Sequence, residues 1–210
     1  MLRYILLAIS LSSFAAANFY QVTIPKEPFG YVYKSGSSDA PVVLSVWQCL
    51  QCSDAAAAWP VLKEVGDHYG PAQVQVVFYG FPLPYLRGAF LSARATKAVD
   101  QLDPSLTVDY MDLVYANQDK IGRSPDTVSD ADMLEVLVGL AEDIGILRED
   151  FLDEYNKAIT NVYSRNEWKV GITDSVHHSP TIFVNNVVEL SFNPSWTLQD
   201  WTAVIDPLLA

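Results

Sequence analysis

Cysteine and positive charge are both scarce in this chain. Its 210 residues include 2 cysteines, and 13 Lys and Arg side chains stand against 25 Asp and Glu, for a formal net charge of -12. Nucleic-acid affinity depends mainly on Lys and Arg side chains that neutralise phosphates. Anionic lipid surfaces are also negatively charged, so they repel acidic proteins. The composition therefore argues against a nucleic-acid partner and against attraction to a negatively charged membrane surface.

Several familiar catalytic patterns are also missing from the sequence. It contains no Ser-His-Asp motif, no glycine-rich phosphate loop and no His-Glu-x-x-His metal helix. Charged residues make up only 18% of the chain and hydrophobic residues 50%, so extended disorder is not expected. The length suits one domain with a substantial core, and the two cysteines become the leading chemical feature.

No apolar run reaches the roughly 20 residues that a helix needs to cross a bilayer. The N-terminus instead has Arg3, a short apolar run from Tyr4 to Leu11, and small residues that end at Ala17. This pattern is typical of a secretory signal peptide. We predict a signal peptide over residues 1–17 and a single domain over 18–210, which after cleavage lies in the secretory-pathway lumen or outside the cell without membrane contact. A retained membrane anchor is the alternative.

The first third of the predicted domain has the pattern of a β-α-β unit. Val42 to Trp47 is an apolar run with β-branched residues, which predicts a buried strand. A helix should follow from Cys52 or Ser53 towards Asp67, and Val74 to Tyr79 predicts a second strand. Such a unit favours a parallel, right-handed connection.

Helical spacing then dominates an insertion at about 85–170. Ser129 and Asp132 have the spacing of a capping box, which predicts the start of a helix. Two apolar faces and a weaker third predict three helices. Their positions are Met133, Val136, Leu137, Leu140 and Ile144 in the first, Leu152, Tyr155, Ile159 and Val162 in the second, and Leu113, Val114 and Ile121 in the third.

Strand character returns near the C-terminus. Thr181–Val184 and Val187–Leu190 flank the pair Asn185-Asn186, and Asn tolerates the left-handed conformations of a tight hairpin turn. Trp196 to Leu209 predicts a closing helix. The order is therefore β-α-β, a helical block, then β-β-α, with Asn18 to Ala40 expected to form an extended arm.

Cys49 and Cys52 form a Cys-x-x-Cys motif between the first predicted strand and its helix. A thiolate at a helix N-terminus is stabilised by free backbone N–H groups and by the helix dipole, and a second thiol three residues away can resolve a mixed disulfide. Redox chemistry is favoured, while an inert or structural pair and a zinc site stay open. So short a disulfide loop removes little unfolded-state entropy, and zinc would need two further ligands, for which only His177 and His178 are clustered. We expect neither a metal nor a cofactor.

The residues after the helical block complete a family pattern. Pro180, between Ser179 and Thr181, opens a strand that follows a β-α-β unit with a cysteine helix. The chain resembles the thioredoxin fold, and the inserted helical subdomain is similar to the DsbA-like branch. More narrowly, it resembles small secreted thioredoxin-fold proteins of eukaryotes. The shared motifs are Trp59-Pro60, His68-Tyr69-Gly70, Pro82-Leu83-Pro84-Tyr85 and Ile205-Asp206-Pro207-Leu208.

The resemblance implies roles for residues around Pro180. Pro180 would be a cis-proline that faces the cysteines, and Ser179, Pro180 and Thr181 would hold an extended peptide by backbone hydrogen bonds. His177 and His178 would lie just upstream, where either could favour the thiolate or supply a proton, or could be an ordinary solvated loop residue.

The family register points to an unusual cysteine pair. In the family the nucleophilic cysteine usually stands eight residues before the proline of the first helix. Counting back from Pro60 gives Cys52 as the nucleophile, and the usual resolving position is then Ala55. Ser45 occupies the place that we assign to the family's buried strand carboxylate. We predict a thiol–disulfide oxidoreductase in which Cys52 attacks and Cys49 resolves, acting on cysteine-containing or unfolded proteins. The alternative is a redox-inactive thioredoxin-fold module that binds peptides or proteins.

Overall fold

A mixed sheet is the centre of the computed structural model, which describes residues 22, 24–35, 39–121 and 128–210. Within those residues it has five strands, β1 (Tyr31–Val32), β2 (Val42–Gln48), β3 (Val74–Gly80), β4 (Thr181–Val184) and β5 (Val187–Val188). They lie in the order β1-β3-β2-β4-β5, with β2 parallel to β3 and antiparallel to β4. The predicted signal peptide falls outside the described residues.

The β-α-β unit forms as predicted from the sequence. Helix α1 (Ser53–Tyr69) connects β2 to β3 and begins with a run of alanines, which are strong helix formers. Pro60 lies inside α1 on its exposed side. The helix packs on the sheet through Trp59, whose ring centroid lies 4.4 Å from that of Phe78.

Six helices lie between β3 and β4 in the described part of the chain. They are α2 (Ala89–Leu102), α3 (Thr107–Ala116), α4 (Gln118–Ile121), α5 (Asp130–Asp143), α6 (Arg148–Asn156) and α7 (Ala158–Thr173). The predicted capping box is present, with Ser129 as the N-cap of α5 and Asp132 as its partner. None of the helices in the described ranges is both long and apolar enough to cross a bilayer.

The prediction of one helix through Tyr155 and Ile159 was wrong. Lys157 has an extended backbone, with φ -60 and ψ 136, and it separates α6 from α7. The Glu154 side chain stabilises the break, because it accepts hydrogen bonds from Lys157 Nζ and from Thr160 Oγ1. Apolar residues four positions apart span the break, so the helical spacing does not reveal it.

The C-terminal elements are shorter than predicted, and one strand was missed. Asn185 and Asn186 both have positive φ in the β4–β5 turn, but β5 ends at Val188. Helix α8 (Leu198–Leu209) follows a second capping box at Thr197. The predicted extended arm contains β1, which pairs antiparallel with β3 and is only two residues long. The element order nevertheless confirms the predicted α/β class, β-α-β then β-β-α around a helical insertion.

Candidate active site

The two cysteines lie in the turn that joins β2 to α1. The Cys52 N–H donates to the Cys49 carbonyl oxygen at 2.9 Å, and the Cys52 carbonyl accepts the first bond of the helix from the Ala56 N–H at 3.1 Å. Cys52 is therefore the N-cap of α1, and Cys49 is the residue that follows β2. A side chain at the N-cap lies beside the unpaired amides of the first helical turn.

Ser179 contacts both cysteines from the loop before β4. Its Oγ accepts a hydrogen bond from the Cys49 N–H at 2.7 Å, and its carbonyl oxygen accepts one from Cys52 Sγ at 3.2 Å. The Ser179–Pro180 peptide bond is cis, as the resemblance implies. Thr181 begins β4, and its Oγ1 donates to the His178 carbonyl oxygen at 2.9 Å. The fold thus places the cis-proline loop directly against the Cys-x-x-Cys turn.

Both cysteines are free thiols in buried positions. Cys49 is 1% exposed and Cys52 is 9% exposed. Burial raises the pKa of the Cys49 thiol, while hydrogen bonds from the backbone of Leu83, Gln51 and Cys52 oppose that rise. The Leu83 N–H lies 3.5 Å from Cys49 Sγ. Cys49 is thus the more enclosed of the two sulfurs, and Cys52 has the greater access to solvent.

Neutral side chains from the helical insertion form hydrogen bonds with the cysteine turn and with the end of β2. Gln118 Nε2 donates to the carbonyl oxygens of Leu50 and Cys52, at 2.8 and 3.0 Å. Gln51 Nε2 donates to Ser92 Oγ at 2.8 Å. The Tyr115 hydroxyl donates to Gln48 Oε1 at 2.9 Å, and burial raises the pKa of Tyr115. We call these five side chains and Ser179 of the facing loop the loop network; its members are Gln48, Gln51, Ser92, Tyr115, Gln118 and Ser179.

Sequence reasoning named Ser179 but not the other members of this network outside the cysteine motif. Ser92, Tyr115 and Gln118 belong to the helical insertion, dozens of positions from the cysteines, and no local spacing connects them to the turn. These helices also carry charged residues, so a polar side chain on them gives no sequence signal of a contact with the cysteine turn. The insertion therefore does more than cover the sheet, because α2, α3 and α4 each hold part of the cysteine turn.

His177 and His178 lie upstream of the loop, as predicted, and both are exposed. Their ring centroids are 4.9 Å apart, and His177 Nδ1 lies 2.9 Å from the Ser175 carbonyl oxygen. Partial burial, followed by the charge of His177, lowers the pKa of His178. Across the described ranges, no group of three or more His, Cys, Asp or Glu side chains could hold a metal ion.

The assignment of Ser45 to the buried strand carboxylate position needs correction. In the parallel pair, Val46 lies opposite Phe78, which contacts Trp59 of α1. Side chains alternate along a strand, so Ser45 and Trp47 lie on the opposite face, where a Cβ on Gly171 of α7 would approach Trp47 at 3.0 Å. β2 has no acidic residue on either face. Proton transfer at the cysteines cannot use a carboxylate from this strand.

Ala55 occupies the position three residues after the N-cap cysteine. It is 1% exposed and packs in the core, so the side of α1 where a following thiol would lie is filled by a methyl group. The second thiol comes from the opposite direction along the chain, at Cys49. The pair is therefore displaced upstream relative to the start of α1.

Comparison with known proteins shows the family of this chain. A family model described as Thioredoxin matches residues 31–207, so the chain belongs to that thioredoxin family. A search of curated proteins gives no match.

Solved structures identify the branch of the fold. Oxidised BdbD from Bacillus subtilis superposes with a TM-score of 0.69 at 19% identity, over 86% of this chain and 92% of that one. The thiol-disulfide exchange protein alpha-DsbA2 from Wolbachia pipientis gives 0.66 at 16% identity, over 85% and 87%. A thioredoxin-like oxidoreductase from Silicibacter pomeroyi DSS-3 gives 0.64 at 14% identity, over 86% and 92%. At these identities the likeness shows the fold, which is DsbA-like.

Proposed function

We propose that this protein is a thiol–disulfide oxidoreductase that acts on cysteines of protein substrates. The observation that carries the proposal is the position of Cys52 Sγ, at the N-cap of α1 and 3.2 Å from the carbonyl oxygen of Ser179. A helix N-terminus stabilises a thiolate, and the adjoining loop offers backbone groups to an extended peptide. The similarity to BdbD and to the exchange protein alpha-DsbA2 supports this proposal.

The chemistry balances with the two thiols alone. In the reducing direction, the Cys52 thiolate attacks one sulfur of a substrate disulfide, and the other substrate sulfur leaves as a thiolate and takes up a proton. Cys49, once deprotonated, then attacks Cys52 Sγ, which releases the second substrate thiol and leaves a Cys49–Cys52 disulfide. The substrate gains two electrons and the cysteine pair loses them. Oxidation of a substrate dithiol is the same sequence reversed.

Single cysteine variants test this assignment. We expect Cys52→Ala to abolish insulin reduction, because no nucleophile then lies at the helix start. Cys49→Ala should keep the first step and accumulate a mixed disulfide through Cys52, visible by mass spectrometry without reductant. A Cys52→Ala protein with unchanged activity would exclude the proposal. A redox titration in glutathione buffers then gives the direction, with working oxidoreductases between about -270 and -120 mV.

A peptide-binding module without redox activity is the second candidate. The buried methyl group of Ala55, in the place where a resolving thiol would follow Cys52, favours it. In that case the Cys49→Ser/Cys52→Ser protein binds an unfolded polypeptide as tightly as the wild type does. Loss of that binding in the double variant would remove this candidate.

We also propose that the protein works outside the cytosol after removal of residues 1–17. Arg3 with the following apolar run supports a cleaved signal, and substrate disulfides form and persist in the oxidising compartments that such a signal leads to. N-terminal sequencing of the exported protein locates the cleavage site. The mechanism requires a substrate with accessible cysteines and, for repeated turnover, a thiol or disulfide partner that returns the Cys49–Cys52 pair to its starting oxidation state.

A further inference from the structure

An apolar groove lies beside the cysteine turn, on the side of the helical insertion. It has a volume of about 540 Å³ and runs between the β3–α2 loop, the start of α2 and one side of α7. Leu83, Phe90 and Trp168 are among its lining residues. A volume of this size accommodates several side chains of a bound segment.

The groove adjoins the cysteine site at Leu83. Leu83 belongs to both, because it is a lining residue of the groove and its backbone N–H lies 3.5 Å from Cys49 Sγ. A polypeptide that extends from the cis-proline loop past Cys49 therefore meets this groove next. Neither the proposed nucleophile nor Ser179 is part of the lining.

Positive charge is concentrated around the groove. Arg165 and Lys169 lie four residues apart on α7, with Trp168 between them, so all three share one face of the helix. Neither cation forms an ion pair with another residue of the described ranges. Arg87 also lines the groove and pairs with Asp130 at 3.3 Å. Asp130 also lines the groove, so its charged lining residues carry three positive charges against one negative, in a chain with 13 Lys and Arg against 25 Asp and Glu.

The start of α2 adds to this positive potential. Phe90 lies in its first turn, which contains no acidic residue. The unpaired amides and the dipole at a helix N-terminus favour an anion. The groove therefore has an apolar floor and a rim that attracts carboxylates.

We propose that this groove binds a segment of a partner protein in which large apolar side chains are followed by acidic residues. The proposal deepens the proposed function, on which it rests for the identity of the partner as a substrate. The apolar side chains would contact Leu83, Phe90 and Trp168, and the carboxylates would pair with Arg165 and Lys169. Specificity for substrates would thus come from the helical insertion, and not from the cysteine turn.

Two cysteine-free peptides test the groove by calorimetry with the full chain. One is acetyl-Ala-Leu-Phe-Leu-Glu-Asp-Ala-amide, and the other replaces Glu and Asp with Gln and Asn. We expect the acidic peptide to bind more tightly, by about tenfold, and this advantage to shrink as salt shortens the Debye length below about 10 Å. Equal binding of the two peptides, or binding of neither, overturns the proposal.

Charge reversal then locates the contact. Arg165→Glu/Lys169→Glu should remove the advantage of the acidic peptide, while Lys26→Glu/Lys120→Glu, an equal charge change at two exposed positions outside the groove, should keep it. Equal losses in both variants would mean a general effect of net charge and would overturn the site.

Thiol–disulfide exchange between the wild-type protein and oxidised glutathione tests the proposed function independently of the groove. Acidic-peptide binding without glutathione exchange supports the groove and excludes the oxidoreductase. Exchange without preference for the acidic peptide supports the oxidoreductase and overturns the groove.

Discussion

Two buried polar regions of this molecule differ in the chemistry that holds them. The loop network around the cysteine turn uses amides and hydroxyls, with hydrogen bonds such as those from Gln118 to the Leu50 and Cys52 carbonyls. The second region, which we call the Glu167 cluster, consists of ionisable side chains: Tyr31, Lys97, Asp100 and Glu167. Both regions lie at the carboxyl ends of β2 and β3, where Gln48 pairs with Gly80 and a Cβ on Gly80 would lie 3.3 Å from Glu167 Oε2.

Contacts within the Glu167 cluster mix charge and aromatic packing. Lys97 Nζ lies 3.1 Å from Asp100 Oδ2 and 4.3 Å from the ring centroid of Tyr31. The Tyr31 hydroxyl lies 3.4 Å from Glu167 Oε2. Burial raises the pKa of Glu167, opposed by the charge of Lys97, and burial likewise raises the pKa of Tyr31.

The two regions should therefore respond differently to pH. Neutral hydrogen bonds hold the cysteine turn in the same way across the pH range in which thiols react. The Glu167 cluster carries groups whose charge costs free energy when buried, so pH acts on stability there. The three predictions that follow test whether the two regions behave in these two ways.

The largest expected effect is from removal of the buried cation of the Glu167 cluster. Lys97→Met leaves Asp100 without its ion pair and Glu167 without a nearby positive charge. Loss of one partner of a buried pair typically costs about 3 kcal/mol or more, so we expect a fall of that size in the free energy of unfolding, measured with urea at neutral pH.

Two further variants control for side-chain size and for general loss of charge. Lys97→Arg keeps the cation and should recover part of the stability, whereas Lys120→Met, at an exposed position, should change it by less than about 0.5 kcal/mol. If Lys97→Met also changed the free energy of unfolding by less than about 0.5 kcal/mol relative to the wild type, the cluster would contribute nothing to stability.

The next effect is in the loop network. Gln118→Ala removes the side-chain donor of the Leu50 and Cys52 carbonyl oxygens, and the Cys52 oxygen still accepts from the Ala56 N–H. The Leu50 oxygen loses that buried hydrogen bond, and an unsatisfied buried acceptor costs about 2 kcal/mol. We expect that loss to be constant between about pH 5 and 8, because the groups involved do not titrate there. Gln199→Ala, an exposed glutamine of α8, is the control. A loss that varies with pH would contradict the distinction between the two regions.

Local sequence patterns predicted the parts of the fold that local physics determines. The apolar run from Val42, the alanines of α1 and the Ser129 capping box each specify one element, and all three elements are present. The capping residues and alanines after Cys52 predicted a helix that starts near Cys52 or Ser53, and the structure places the N-cap at Cys52. These signals act over a few residues, so one sequence is enough to detect them.

Other features depend on contacts between distant segments. Strand β1 is two residues long and exists because Tyr31 and Val32 pair with β3. The face on which Ser45 lies follows from how α1 and α7 cover the sheet, and counting along the strand gave the wrong face. Gln118 reaches the cysteine turn through the packing of the helical insertion, which no local spacing encodes.

Glu167→Gln should have the smallest effect of the three variants on the free energy of unfolding at low pH. The size of that effect should depend on pH. Because burial raises the pKa of Glu167, the folded protein keeps this proton at pH values where the unfolded chain has released it. That contribution to stability is complete below the unfolded pKa, near 4.3, and is lost as pH rises through the folded pKa. The loss is about 1.4 kcal/mol for each pH unit between the two pKa values.

The variant, which does not titrate, should therefore gain in stability relative to the wild type as pH rises from about 4 to 8, as measured by urea unfolding. The exposed Glu149→Gln protein should follow the wild-type curve, and a Glu167→Gln curve parallel to the wild type would place the pH response of this fold outside the cluster.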